Sequence, residues 1–89
     1  MKVVIVRTDG TVEYVDCVNP PFLIEGLLVE KIDLNKEVTM FHDDLAEARE
    51  KKRNEWATAI VEEFTGSFVP IFGDVAITGY RAYSLIGVA

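Results

Sequence analysis

Apolar positions follow two rhythms along this chain: short β-branched runs near both ends, and one stretch at helical spacing between them. The runs KVVIVR (2–7) and TVEYV (11–15) are separated by Thr8-Asp9-Gly10. Asp-Gly between two such runs predicts a tight hairpin, because glycine accepts the positive φ that the turn requires. Val3, Val4, Ile5 and Val6 are apolar toward both faces, which predicts a central strand. In the second run Val12, Tyr14 and Asp16 alternate with Thr11, Glu13 and Val15, so one face is expected to be wetter. Asn19-Pro20-Pro21 ends that strand, and residues 22–28 are predicted to form one or two helical turns with Gly26 near their end. VEKIDL (29–34) alternates and predicts a half-buried strand, although Val29 and Ile32 fall on opposite faces. Asn35-Lys36 then turns the chain into the strand EVTMFH (37–42), giving a second hairpin.

Residues 43–66, DDLAEAREKKRNEWATAIVEEFTG, carry the helical rhythm. Asp44 with Glu47 has capping-box spacing, Glu47 and Lys51 form an i,i+4 pair, and Gly66 suits a left-handed end. At 100° per residue Trp56, Ile60 and Phe64 define the core direction, with Leu45 in line. Arg49, Lys52 and Arg53 point to that same side. A helix of about 22 residues would be about 33 Å long, against about 20 Å for a six-residue strand. The charged half must therefore overhang the sheet or form a separate, bent or irregular segment before Asn54. In either geometry Arg49, Lys52 and Arg53 belong at the rim of the core face, and Trp56 to Phe64 form the core clamp.

Residues 67–72 form an apolar loop broken by Pro70, and Gly73-Asp74 leads into a last strand at 75–78 bounded by Gly79. Residues 80–89, YRAYSLIGVA, fit an edge strand, a helical turn or a partner surface. The whole of 1–89 reads as a single domain. The expected fold is α+β: a small four- to five-stranded, mainly antiparallel sheet with one long helix packed on one face.

Composition narrows function more than it identifies it. An apolar content of 49% is enough for a core and favours self-association into a homo-oligomer. The net charge of −6 argues against non-specific nucleic-acid binding, which needs surplus Lys and Arg. It leaves room for a local basic patch. The single Cys17 excludes an intrachain disulfide and a cysteine zinc site, and fits a reducing compartment. No apolar run approaches a membrane span, and the run of four before Arg7 is too short for a signal peptide, so a cytoplasmic location without membrane association is expected.

Cys17 and His42 could be paired as nucleophile and base, but no orienting motif accompanies them; Cys17 reads as a packing residue and His42 as a strand-end residue. A His42-Asp43-Asp44 metal site is weighed against carboxylates that complement a helix dipole, and the second reading is taken. Glu62-Glu63 are adjacent on a helix and do not face each other, so they form a solvated face. No glycine-rich phosphate loop is present. No catalytic residue, metal ligand or cofactor is assigned. The basic run 49–53 is threaded with acids and suits a soluble helix face. Its sharper reading is a rim patch for an anionic ligand or acidic partner, joined by Arg7 or Arg81. Trp56, Phe64, Phe68 and Phe72 are assigned to the core.

Several fragments occur in a telling order: a Met-Lys-apolar strand with Asp9-Gly10 and Glu13; Gly26 and Val29-Glu30-Lys31-Ile32; Asp43-Asp44; Asn54-x-x-Ala57-Thr58; and Ile71-x-Gly73-Asp74-Val75-x-Ile77-x-Gly79. In that order they resemble a group of small phage- and plasmid-borne bacterial proteins classed as a domain of unknown function. The resemblance spans nearly the whole chain and rests on the order of the fragments. The chain departs from it between Asp44 and Asn54, where a shorter glycine-bearing loop is expected, and again over residues 64–72. The resemblance supplies no activity. It implies a mobile-element protein acting inside a bacterium, where small acidic proteins bind host factors.

The function expected from these readings is a non-enzymatic accessory protein of a phage or plasmid that binds and modulates a host protein. The alternative is an oligomeric protein that binds or sequesters a small anionic, nucleotide-like ligand. Candidate binding residues are Arg49, Lys52, Arg53, Asn54 and Arg81. An enzyme using Cys17 or His42 is a third, weaker reading.

Overall fold

The computed structural model describes residues 2–16, 18–19, 24 and 29–79. Five strands and one helix follow in the order β1 (Lys2–Val6), β2 (Val12–Asp16), β3 (Val29–Asp33), β4 (Val38–Asp43), α1 (Glu55–Thr65) and β5 (Val75–Gly79). The strands form one sheet in the order β2-β1-β5-β4-β3, and every neighbouring pair is antiparallel. Two sequence-local hairpins are thus joined by the last strand, which inserts between β1 and β4. Two of the three inner strands have the most continuous apolar runs: Val3, Val4, Ile5 and Val6 in β1 and Val75, Ala76 and Ile77 in β5 are all buried. A strand covered on both faces has no solvent side on which to place polar residues.

Register sorts the side chains into two layers. Val4, Val6, Val38, Met40, Val75 and Ile77 meet Ala57, Ile60 and Val61 of α1, together with Leu34 and Ile71. Val3 and Ala76 meet Ile24 on the opposite face, with Val15, Val29 and Phe41 packed around them. This arrangement explains the edge strands. Val12 and Ile32 pack on the helix-side cluster, Val15 and Val29 on the other. Their three-residue spacing is awkward for a strand with one dry face and natural for a sheet with two.

Both predicted hairpins form, and a side chain helps to close each turn. The Arg7 N–H donates to the Thr11 carbonyl at 2.9 Å, Asp9 Oδ1 accepts from the Thr11 N–H at 2.8 Å, and Gly10 has φ 88°. In the second, Asn35 Oδ1 accepts from the N–H groups of Glu37 at 2.7 Å and Val38 at 2.8 Å. These are the local Asx bonds that make Asp and Asn turn formers.

The expected long helix is not formed: α1 has 11 residues and begins at Glu55. Residues 44–50 make a run of turns, with Ala46 N–H donating to the Asp43 carbonyl and Lys51 N–H to the Ala46 carbonyl. Glu50 has φ 59°, a left-handed conformation that stops helical propagation at a residue other than glycine. The chain then runs extended, and Arg53 bridges Phe72 while the Gly73 N–H donates to the Lys52 carbonyl at 2.8 Å. Asn54, not Asp44, is the helix cap, accepting from the Ala57 N–H at 3.0 Å. Gly66 closes the other end as predicted, with φ 74° and its N–H donating to the Glu62 carbonyl.

The helix is also rotated from the expected phase. It buries Ala57, Thr58, Ile60 and Val61, whereas Trp56 is 55% exposed. The small Ala57, completely buried, lets the helix backbone approach the sheet, and the indole swings outward over the hairpin turn. A Cβ at Gly10 would lie 3.4 Å from Trp56 Nε1, so the ring rests beside the β1–β2 turn. Leu45 and Phe68, also expected inside, are exposed, and Phe64 and Phe72 are half-buried. The helical-turn assignment for 22–28 and the alternatives for 80–89 lie outside the described residues.

Two outcomes follow for stability. Gly79 has φ 133°, and a Cβ there would stand 1.8 Å from the Glu37 carbonyl oxygen. Gly79→Ala is expected to cost at least about 3 kcal/mol in urea unfolding, and a cost below about 1 kcal/mol would show that the β4–β5 junction yields. The Asp9 carboxyl is held below its ordinary value of 3.8, first by the Thr11 side chain and then by the Thr11 backbone. A depressed folded value contributes stability that is present above the unfolded value and lost as pH falls through the folded one. The stability difference between the native chain and Asp9→Ala is therefore expected to shrink between about pH 5 and about pH 2, measured by thermal unfolding across that range; a constant difference would contradict it.

Candidate functional site

Asn54 ties together three parts of the chain, and it is 0% exposed. Its Nδ2 donates to the Val6 carbonyl at 2.9 Å and to the Gly73 carbonyl at 3.0 Å, while Oδ1 caps α1. Its backbone N–H donates to the Ile71 carbonyl at 2.8 Å, and its own carbonyl accepts from the Thr58 N–H at 3.0 Å and the Thr58 hydroxyl at 2.9 Å. That hydroxyl in turn accepts from the Ile71 N–H. Every polar atom of the residue is used, as burial of an amide demands.

This amide ties down the residues just before Arg7 and Asp74. Beside them lies a cleft of about 360 Å³, lined among the described residues by Arg7, Thr8, Ile24, Asp43, Ala46, Lys51, Lys52, Gly73 and Asp74. Its two carboxylates are internally neutralised. Asp74 accepts from Arg7 Nη1 at 3.2 Å and from the Thr8 N–H at 3.0 Å. Asp43, 5% exposed at the end of β4, accepts from Arg49 Nη1 at 2.8 Å and from the Leu45 N–H at 3.0 Å. Arg7 is held further by Glu13 at 2.6 Å. That bond is the largest cause raising the guanidinium pKa above its ordinary value, so its charge is permanent.

Lys51 and Lys52 remain, both exposed and neither in an ion pair with any described residue. The Lys51 stem lies along Gly73, where an added Cβ would stand 3.9 Å from its own Cβ. Two uncompensated ammonium groups beside two neutralised acids make the cleft locally cationic within an acidic chain. At exposed sites each such attraction is worth about 1 kcal/mol at contact distance in water, so the effect requires several groups acting together.

The candidate residues from the sequence are only partly gathered here. Lys52 lines the cleft. Arg49 supports its wall through Asp43. Asn54 lies beneath it as the buried strap rather than on the surface. Arg53 turns elsewhere: its Nε is 3.0 Å from Glu55 Oε1, close enough for an ion pair but without hydrogen-bond alignment, and its guanidinium carbon is 5.1 Å from the Phe68 ring centroid. Arg81 and Cys17 lie outside the described residues. Thr8 and Asp74 were not read as binding residues from the sequence, and Lys51 entered only as part of the basic run 49–53. Both lysines line the cleft from the stretch that follows the turn at Glu50.

Among the described residues no three metal-capable side chains converge, and no helix is long and apolar enough to cross a membrane. His42 borders a separate groove of about 140 Å³ with Asp44 and Glu47. Compared with protein-family models, curated proteins and solved structures, the chain matches none.

The two roles of Asn54 can be separated. Asn54→Ala removes the cap, worth about 1 kcal/mol, and leaves two inward carbonyls without their donor, at about 1–3 kcal/mol each; a loss of at least about 3 kcal/mol in urea unfolding is expected. Asn54→Asp keeps a good cap but sets a carboxylate against both carbonyls, and is expected to be no more stable than the alanine variant. An aspartate variant of native stability would show that the amide donors contribute little.

Proposed function

We propose that this protein is a non-catalytic binding module that holds a small anionic ligand, of phosphate-bearing and nucleotide-like size, between Arg7, Lys51 and Lys52. The observation that carries this reading is the charge balance of the cleft: Asp43 and Asp74 are each occupied by an arginine, and two lysines are left facing solvent. Its volume of about 360 Å³ lies at the lower end of the range for small-molecule sites, about 300–1,000 Å³. The Ile24 and Ala46 side chains supply the apolar wall such sites use beside their polar groups.

A second reading is supported by a different observation. Trp56 and Phe68 are 55% and 60% exposed in a chain whose core is already filled by smaller residues. Exposed aromatic side chains are common anchors of protein interfaces. With the resemblance to phage- and plasmid-borne proteins, this favours an accessory protein that engages a host protein inside a bacterial cell.

Titration with phosphate, pyrophosphate and nucleoside mono- and diphosphates tests the ligand reading. A ligand that binds only the folded chain raises stability by RT ln(1 + [L]/Kd), so a concentration-dependent rise in Tm is expected. Lys51→Ala with Lys52→Ala should weaken the binding about tenfold or more and leave the unliganded Tm nearly unchanged, because both side chains are exposed. An unmoved Tm with every one of these anions at millimolar concentration would overturn the reading.

A further inference from the structure

Helix α1 has one face the fold does not use. Along it Trp56, Ala59 and Glu63 follow at i, i+3 and i+7, with Glu55 and Glu62 on the adjoining row. All five are exposed. Trp56 is the single tryptophan of the chain, and more than half of its surface is left in water. Beside it stands the small, exposed Ala59.

Electrostatics makes the same face unusual. Glu62 and Glu63 stand in the last turn of α1, where the helix dipole favours cations, and the last turn contains no basic residue. Neither glutamate is in an ion pair with a described residue. Arg53 is committed to Glu55 at the other end of the helix. The placement works against local helix stability and is not compensated within the described residues. Such local inconsistencies mark surfaces selected for something other than folding.

We propose that the solvent face of α1 is a docking surface for a basic protein segment, which sets Arg or Lys against Glu62 and Glu63 and lays a side chain over Trp56. Charge complementarity selects the occupant: the helix carries three glutamates and no cation, in a chain of net charge −6. An arginine suits both ends of the surface, since its guanidinium pairs with carboxylates and stacks on an indole. The proposal rests on the protein-partner reading and shares no residue with the cleft, so either can fail alone.

Trp56 is its own reporter. The full chain is titrated with a synthetic amphipathic peptide of arginine and leucine, and with the same peptide carrying glutamate for arginine. The arginine peptide is expected to shift Trp56 emission to the blue saturably and to bind about tenfold or more tightly than the glutamate peptide. Glu62→Lys with Glu63→Lys should remove that preference, while Glu30→Lys with Glu47→Lys, acids elsewhere on the surface, should preserve it. Lys51→Ala with Lys52→Ala should also leave it intact. The Glu62→Lys/Glu63→Lys variant should have a raised Tm, because its new charges complement the dipole. Equal binding of both peptides, equal loss with the distant pair of substitutions, or a lowered Tm in the Glu62/Glu63 variant would each overturn the proposal. So would a concentration-dependent dimer abolished by the same variant, which would make a second copy of the chain the occupant.

Discussion

One buried side-chain amide sets the arrangement of this domain. Asn54 joins the end of β1, the segment before β5 and the first turn of α1, which lie far apart in sequence. A buried amide without its full set of partners is costly, so the three segments can come together only in the geometry that satisfies it. That geometry fixes where the helix begins and which way it is turned. Ala57 consequently faces the sheet and Trp56 faces water. The same bonds hold the backbone next to Arg7 and Asp74, so the cleft is built beside a strapped part of the backbone. Sites anchored in this way lose little entropy when a ligand arrives.

The sheet is short and covered on both sides. Helix α1 closes one face, and Ile24 contributes to the layer over the other. The two edge strands, five residues each, carry Glu13, Asp16, Glu30, Lys31 and Asp33. Short charged edges resist pairing with other chains. Among the described residues the buried apolar side chains are therefore concentrated in β1, β4, β5 and the facing side of the helix.

Charge is distributed with contrasting local signs. At the cleft Asp43 pairs with Arg49, Asp74 shares Arg7 with Glu13, and two lysines remain, whereas α1 carries glutamates and no cation. A net charge of −6 describes neither surface. For a small domain whose core leaves little stability to spare, such surfaces are where binding specificity can be placed without disturbing the packing.

Much of the architecture was legible in the order of residues. The β-branched runs, the Asp9-Gly10 and Asn35 turns and the Gly66 stop are local signals, and their strands, turns and helix end formed as read. The order of the strands was not legible, because β5 pairs with β1 across about 70 residues of chain and no local pattern encodes that partnership. Residues 44–53 show the limit most clearly. Their composition suits a helix, but a turn through Glu50 and backbone bonds to 71–73 replace it. Lys51 and Lys52 then both line one cleft, and Asn54 becomes interior. Sequence alone determined the elements whose hydrogen bonds close within a few residues. The tertiary structure decided helix phase, strand order and the cleft, since those depend on satisfying the buried Asn54 amide and the half-buried Asp74 carboxylate with groups distant along the chain.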